Sequence, residues 1–174
     1  ISGVKQFIFT STMAVYGEVG EIGQEVVITK NTIPNPKTFY GRTKLEAECE
    51  LQKLSSETFK ILILRLPMVY GPNCPGNYRK LESLALKTPI FPMIKNKRSM
   101  LHINKLCLQI KDYIDKEKDG IYLPQDDQYI NTSILVKSIA EQNGRKIFLS
   151  KSLGILIRII GKKSNIIRKI FGNL

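Results

Sequence analysis

Histidine is nearly missing from this chain, with His102 the only one in 174 residues. The three cysteines, Cys49, Cys74 and Cys107, are scattered and odd in number, and no metal-ligand spacing links them to one another or to the histidine. No metal is therefore expected, and the thiols read as reduced, in a cytoplasmic protein. No long uncharged apolar run occurs, which leaves no candidate for a transmembrane helix. The opening Ile1-Ser2-Gly3-Val4-Lys5 lacks the basic-then-apolar layout of a signal peptide. It also lacks an initiator methionine, as expected of a chain that starts inside a longer protein or follows processing. Acidic residues are scarce, 15 against 27 basic, giving a net charge of +12. Such an excess can serve nucleic acid, a membrane surface or an anionic ligand. Before residue 150 no basic run is interleaved with aromatics as a nucleic-acid groove requires, so nucleic acid is not an expected partner.

What is present reads as a globular α/β chain with 43% hydrophobic residues, long enough for one ordinary domain and a sizeable core. Short apolar runs over 4–11 and 60–66 have the length and composition of buried parallel strands. A helical pattern over 39–56 lies between them. Further helices are expected over 77–87, 104–118 and 132–143, the last stopped by Gly144, with short strands over 120–123 and 146–149. His102 reads as a satisfied strand residue.

The stretch 7–44 carries the chemistry. Strand Phe7-Ile8-Phe9 runs into Thr10-Ser11-Thr12 and then Ala14-Val15-Tyr16-Gly17. After a proline-containing loop, Tyr40-Gly41-Arg42-Thr43-Lys44 opens the helix. Ligands in open α/β sheets bind outside the carboxyl ends of the strands, where these hydroxyls fall. A phenol ionises near pH 10 unaided, and a nearby ammonium favours the phenolate. Tyr and Lys at i and i+4 share one helix face, which puts Lys44 near Tyr40. A Thr or Ser hydroxyl opposite can hold a substrate oxygen while the phenol takes or returns its proton, and hydride transfer at a carbinol carbon follows naturally. Tyr-x-x-x-Lys alone is uninformative in a chain so rich in lysine; the ordered context of strand, hydroxyls, Val-Tyr-Gly, loop and helix makes the case.

That combined pattern, Phe9 to Gly17 followed by Tyr40 to Lys44, resembles the extended short-chain dehydrogenase/reductase family, in particular its NAD-dependent sugar-nucleotide epimerase/dehydratase group. The likeness runs to about residue 150. It implies the C-terminal part of a Rossmann-like, doubly wound parallel sheet plus a small substrate-binding lobe. The implied catalytic residues are Tyr40, Lys44 and Thr12, with Thr12 rather than Ser11 at the position of the active-site hydroxyl. Tyr40, Lys44, Ser11 and Pro67 would lie at the NAD. Thr12, Pro89, Phe91 and Arg98 would bind the nucleotide-sugar, the proline and phenylalanine along the base and the arginine on the diphosphate. A simple Pro/Gly turn at 67–72, an apolar core pair at 89 and 91, and a solvated basic turn at 98 are the plainer readings of the same residues. Dehydratases of the family carry an acidic pair where this chain has Met13 and Ala14, so the resemblance favours an epimerase of the UDP-glucose or UDP-GlcNAc 4-epimerase kind, or a nucleotide-sugar reductase. Met68, where several epimerases carry an amide, is a departure in the substrate pocket. A homodimer is implied by analogy alone.

Gly17, Gly20 and Gly23 mimic a dinucleotide-binding loop, but proline-broken, β-branched sequence follows them instead of a helix, and glutamates lie among them. They are not read as a phosphate site. The family's N-terminal dinucleotide-binding half has no counterpart in this sequence. The isolated chain is accordingly expected to bind NAD poorly and not to turn over, and its first strand to have an open edge. Residues 1–150 are assigned to the catalytic and substrate-binding portion. Residues 151–174 are assigned to a basic amphipathic helical tail, whose stretch 153–171 could meet a membrane surface. The competing reading is a catalytically inactive remnant acting as a binding or membrane-surface module.

Overall fold

The computed structural model describes residues 3–17, 26–72, 74, 76–161, 167 and 170–171. In chain order the elements are β1 (Gln6–Thr12), a 3₁₀ turn (Met13–Tyr16), α1 (Phe39–Lys53), β2 (Lys60–Leu66), β3 (Met68–Tyr70), α2 (Asn77–Lys87), β4 (Ile90–Pro92), β5 (Met100–His102), α3 (Ile103–Asp115), β6 (Gly120–Tyr122), α4 (Thr132–Gln142), β7 (Phe148–Ser150) and α5 (Lys151–Gly161). They fall into two compact units: Ile1–Glu18, Ile28–Gly71 and Leu101–Asp126 form the first; Val19–Val27, Pro72–Met100 and Asp127–Leu174 form the second.

The first unit is built on a parallel sheet of order β1-β2-β6. Its centre is β2, where Ile61, Leu62, Ile63 and Leu64 are all buried. Each such side chain removed from water contributes about 1.5–3 kcal/mol. The strand alternates its faces. Leu62 and Leu64 pack with Leu106 and Ile110 of α3 and with Ile8 of β1. Arg65 points the other way, onto Glu48 of α1. Helices thus cover both faces of the sheet, which is why β2 reads as an unbroken apolar run. Thr10, Ser11 and Thr12 pair in register with Leu64, Arg65 and Leu66. Among the described residues β1 pairs only with β2, leaving its outer edge open. Side-chain caps set two helix starts: Thr38 Oγ1 accepts from Gly41 N at 3.0 Å, and His102 Nδ1 accepts from Asn104 N at 3.2 Å.

In the second unit α2 packs on α4, and β4 pairs in parallel with β7 through Ile90↔Phe148, Phe91↔Leu149 and Pro92↔Ser150. A buried polar seam ties 92–96 to the start of α4. Asn96 Nδ2 donates to Thr132 Oγ1 at 2.8 Å and Asn96 Oδ1 accepts from Thr132 N at 2.9 Å, while Ser133 Oγ donates to the Pro92 carbonyl at 2.9 Å. Asn131 caps α4 by accepting from Ser133 N and Ile134 N. Helix α5 begins at Lys151, directly after β7. Gly20 and Gly23, and residues 162–166 and 168–169 of the basic stretch 153–171, lie outside the described residues. No helix among the described residues is long and apolar enough to cross a membrane.

Candidate active site

The site is assembled at the carboxyl ends of β1 and β2. Thr12 is the last residue of β1 and stands opposite Leu66, the last of β2; Pro67 follows at once. Thr12 also begins the 3₁₀ turn, where its Oγ1 accepts from Ala14 N at 3.2 Å. A hydroxyl that accepts from the backbone still has its own O–H to donate, so Thr12 can present a proton to a ligand oxygen without giving up its cap. Met13, buried, and Ala14 follow it and hold no titratable group.

Helix α1 carries Tyr40 and Lys44. Its first turn is drawn against the 3₁₀ turn by Gly41: a Cβ at that position would lie 2.5 Å from the Ala14 carbonyl oxygen. Lys44 sits one turn further on. Its Nζ donates to the Thr10 carbonyl at 2.8 Å and lies 4.5 Å from the centre of the Phe9 ring. The lysine is therefore fixed to the very strand that ends in Thr12. Tyr40, 55% exposed, lies on the same helix at the i−4 position.

One turn beyond Lys44 a network appears that sequence reasoning did not find. Glu48 and Arg65 are both buried. Arg65 Nη2 donates to Glu48 Oε2 at 2.6 Å, and Arg65 Nε reaches both carboxylate oxygens, at 3.0 and 3.2 Å. Arg65 Nη1 donates to Tyr16 Oη at 2.6 Å, and the Ser11 hydroxyl donates to Glu48 Oε1. Burial pulls the Arg65 guanidinium down, but its hydrogen bonds to Glu48 and Tyr16 and the carboxylate charge outweigh that and hold it above the ordinary arginine value. The signal was present in the sequence: an arginine inside the apolar run Lys60–Leu66 demands a buried anionic partner. Ser11, expected at the cofactor, has its side chain buried in this network. Also in the first unit, the Tyr70 hydroxyl donates to Asp126 at 3.0 Å, and His102 lies edge-on to the Tyr70 ring while capping α3.

Pro89, Phe91 and Arg98 lie in the second unit. Phe91 is buried against Phe171, ring centres 5.6 Å apart, and Pro89 precedes β4, its carbonyl accepting from Phe148 N. Arg98 is half-buried. Its backbone forms an antiparallel bridge with Ile130, its Nη1 donates to the Ile170 carbonyl at 3.0 Å, and burial lowers its pKa. The chain thus brings Thr12, Lys44 and Pro67 to one sheet end with Tyr40 on the adjoining helix, while Pro89, Phe91 and Arg98 belong to the second unit. A dinucleotide also needs an open helix start behind a glycine-rich loop for its pyrophosphate. In the first unit α1 and α3 both begin on side-chain caps, not as open starts behind a glycine-rich loop.

The model of the NAD dependent epimerase/dehydratase family matches residues 1–104. The UDP-glucose 4-epimerase of Vibrio cholerae is 34% identical over 145 residues, 80% of this chain and 44% of that protein. Among solved structures, the UDP-glucuronic acid 4-epimerase of Bacillus cereus in complex with NAD superposes with a TM-score of 0.67 at 22% identity, over 84% of this chain and 50% of that one. The UDP-N-acetylglucosamine 4-epimerase of the same organism gives a TM-score of 0.67 at 19% identity, over 83% and 52%. This chain therefore spans about half the length of the relatives it matches, and the structural likenesses speak for a shared Rossmann-like fold. With the family model covering well over half of its residues, the chain belongs to the NAD-dependent epimerase/dehydratase family.

Proposed function

We propose that this chain carries the proton-transfer and sugar-nucleotide residues of a cytoplasmic, NAD-dependent nucleotide-sugar epimerase of the UDP-glucose/UDP-GlcNAc 4-epimerase kind. The observation behind this reading is the anchoring of Lys44 on the Thr10 carbonyl at 2.8 Å. It ties the helix bearing Tyr40 to the strand whose last residue is Thr12. In this scheme the Thr12 O–H donates to the sugar oxygen and orients it. The Tyr40 phenol removes the proton of that hydroxyl and later returns it, with the Lys44 ammonium favouring its ionised form. NAD, when bound, supplies the hydride acceptor and donor, with Tyr40, Lys44 and Pro67 beside its reacting end. After oxidation the sugar turns within the site and is reduced on its other face. Met13 and Ala14 offer no second acid or base for water elimination, which supports epimerisation over dehydration.

The isolated chain is expected to show no tight NAD binding by calorimetry, because the helix starts of its first unit are closed by side-chain caps. Activity is tested in a chimera that joins the N-terminal portion of the Vibrio cholerae relative to this chain. Interconversion of UDP-glucose and its C4 epimer is the expected result. Tyr40→Phe should then lower turnover by about 10²–10⁴-fold, the range of a positioned acid–base group. Unchanged turnover would remove Tyr40 from the mechanism.

A further inference from the structure

Helix α5 is amphipathic in the reverse sense. Gly154 is its buried residue, and a Cβ there would collide with the Met93 carbonyl, so this side of the helix is seated on the segment just after β4. Ile155, Leu156, Ile159 and Ile160 are between 49% and 67% exposed. At about 100° per residue these four fall in an arc facing away from Gly154. Arg158 lies nearer the seated side, where its long side chain can reach along the flank. A soluble helix places its apolar stripe inward; this one turns four branched aliphatic side chains to the outside.

The sequence that contains α5 is as one-sided in charge. From Gln142 to Leu174 the sequence holds eight lysines and arginines and no aspartate or glutamate, so these residues carry +8 of the net +12. A second copy of the same segment would meet this with like charge. A surface that is both apolar and anionic answers both features. We propose that α5, within the basic stretch of sequence that contains it, is a docking surface for the headgroup region of an anionic lipid bilayer, lying in the plane of the interface. The proposal is independent of the epimerase chemistry and concerns where the chain works.

The test uses the full 174-residue chain in co-sedimentation with phosphatidylglycerol-containing and pure phosphatidylcholine vesicles, at low and high salt. Binding to the anionic vesicles, weakened by salt and absent from the neutral ones, is expected. The double variant Ile155→Ser/Ile159→Ser alters only exposed side chains, and its fold is checked by circular dichroism. It should lose about tenfold or more in partitioning, because two branched side chains no longer leave water. Arg158→Gln should weaken binding to anionic vesicles by a few-fold, in line with one surface charge. The proposal is overturned if the wild-type chain does not bind anionic vesicles. It is equally overturned if the serine pair binds as well as wild type, or if sedimentation equilibrium shows a dimer that the serine pair dissociates while vesicles bind neither form.

Discussion

Glu48→Ala is the sharpest probe of the interior beneath the site. The carboxylate is 1% exposed and holds Arg65, itself 4% exposed, through three hydrogen-bond contacts of 2.6 to 3.2 Å. Removing it leaves a guanidinium buried with Tyr16 as its remaining polar contact in the network. Breaking a buried pair from one side costs about 3–5 kcal/mol, because the surviving charge must be rehydrated or left uncompensated. The chain has two compact units, so a single global midpoint would blur the effect. Hydrogen exchange of the β1 and β2 amides reads the first unit alone. Protection there should fall by roughly 10²–10⁴, since each 1.4 kcal/mol is a factor of ten. The control is Glu48→Leu with Arg65→Met, which removes both charges at similar volume. Such replacements are commonly neutral or stabilising, so protection should return close to that of the parent. If Glu48→Ala costs less than about 1 kcal/mol, the pair behaves like an exposed one and the reasoning fails. If the double variant is as damaged as the single, the loss came from packing and not from an orphaned charge.

Other outcomes follow from the same coordinates. Thr12→Val removes both the proton offered to a ligand and the acceptor for Ala14 N; in the chimera it should depress turnover while costing about 1 kcal/mol of stability, whereas Thr12→Ser should retain most of both. Gly41→Ala drives a Cβ to 2.5 Å from the Ala14 carbonyl oxygen, and the overpacking should cost about 1–3 kcal/mol, read as lost exchange protection in α1. Burial, with smaller contributions from Tyr122 and Asp112, raises the Tyr113 phenol above its ordinary 10.0. A raised acid keeps its proton longer when folded, so its stabilisation is complete below the unfolded value and is lost as pH rises through the folded one. Burial raises the Tyr78 phenol as well, so ultraviolet titration should show late-ionising tyrosines of which Tyr113→Phe removes one; an unchanged titration curve would contradict the assignment.

The backbone plan was largely legible, and the reason is local. The run Lys60–Leu66 is apolar on both faces because α1 and α3 cover both faces of β2, and such a strand announces itself by composition. Thr38 before the α1 pattern and Asn131 before the α4 pattern are caps that a reader can locate without coordinates. β1 was harder to bound: it begins at Gln6 and ends at Thr12, its outer edge is open, and only Ser11 in it is fully buried. Glu48 was illegible by itself. Three turns into a helix full of glutamates and lysines, it looks like one more solvated charge, and only the arginine in the facing strand reveals that it is interior. The Asn96–Thr132 seam was hidden for a related reason, since an amide and a hydroxyl so far apart in sequence give no pattern until the chain is folded.

Under the proposed scheme, the position of Glu48 on α1 gives the network a part in a reaction it does not touch. An α-helix turns about 100° per residue, so residues four apart differ by only about 40° in direction. Tyr40, Lys44 and Glu48 form one such slowly winding stripe. A helix lying across a sheet can roll about its axis at little cost when its contacts are aliphatic. A carboxylate locked into a guanidinium fork cannot roll without breaking directional bonds. Fixing Glu48 on Arg65 and Ser11 therefore fixes the roll of α1, and with it the directions of Lys44 and Tyr40. Lys44 repeats the constraint from the other side of the stripe through the Thr10 carbonyl. Both anchors grip β1 within two residues of Thr12, at Thr10 and Ser11. In the proposed scheme these anchors on β1 would keep the phenol in register with the Thr12 hydroxyl, and a slip of α1 by one residue would swing Tyr40 through about 100° and break every anchor together.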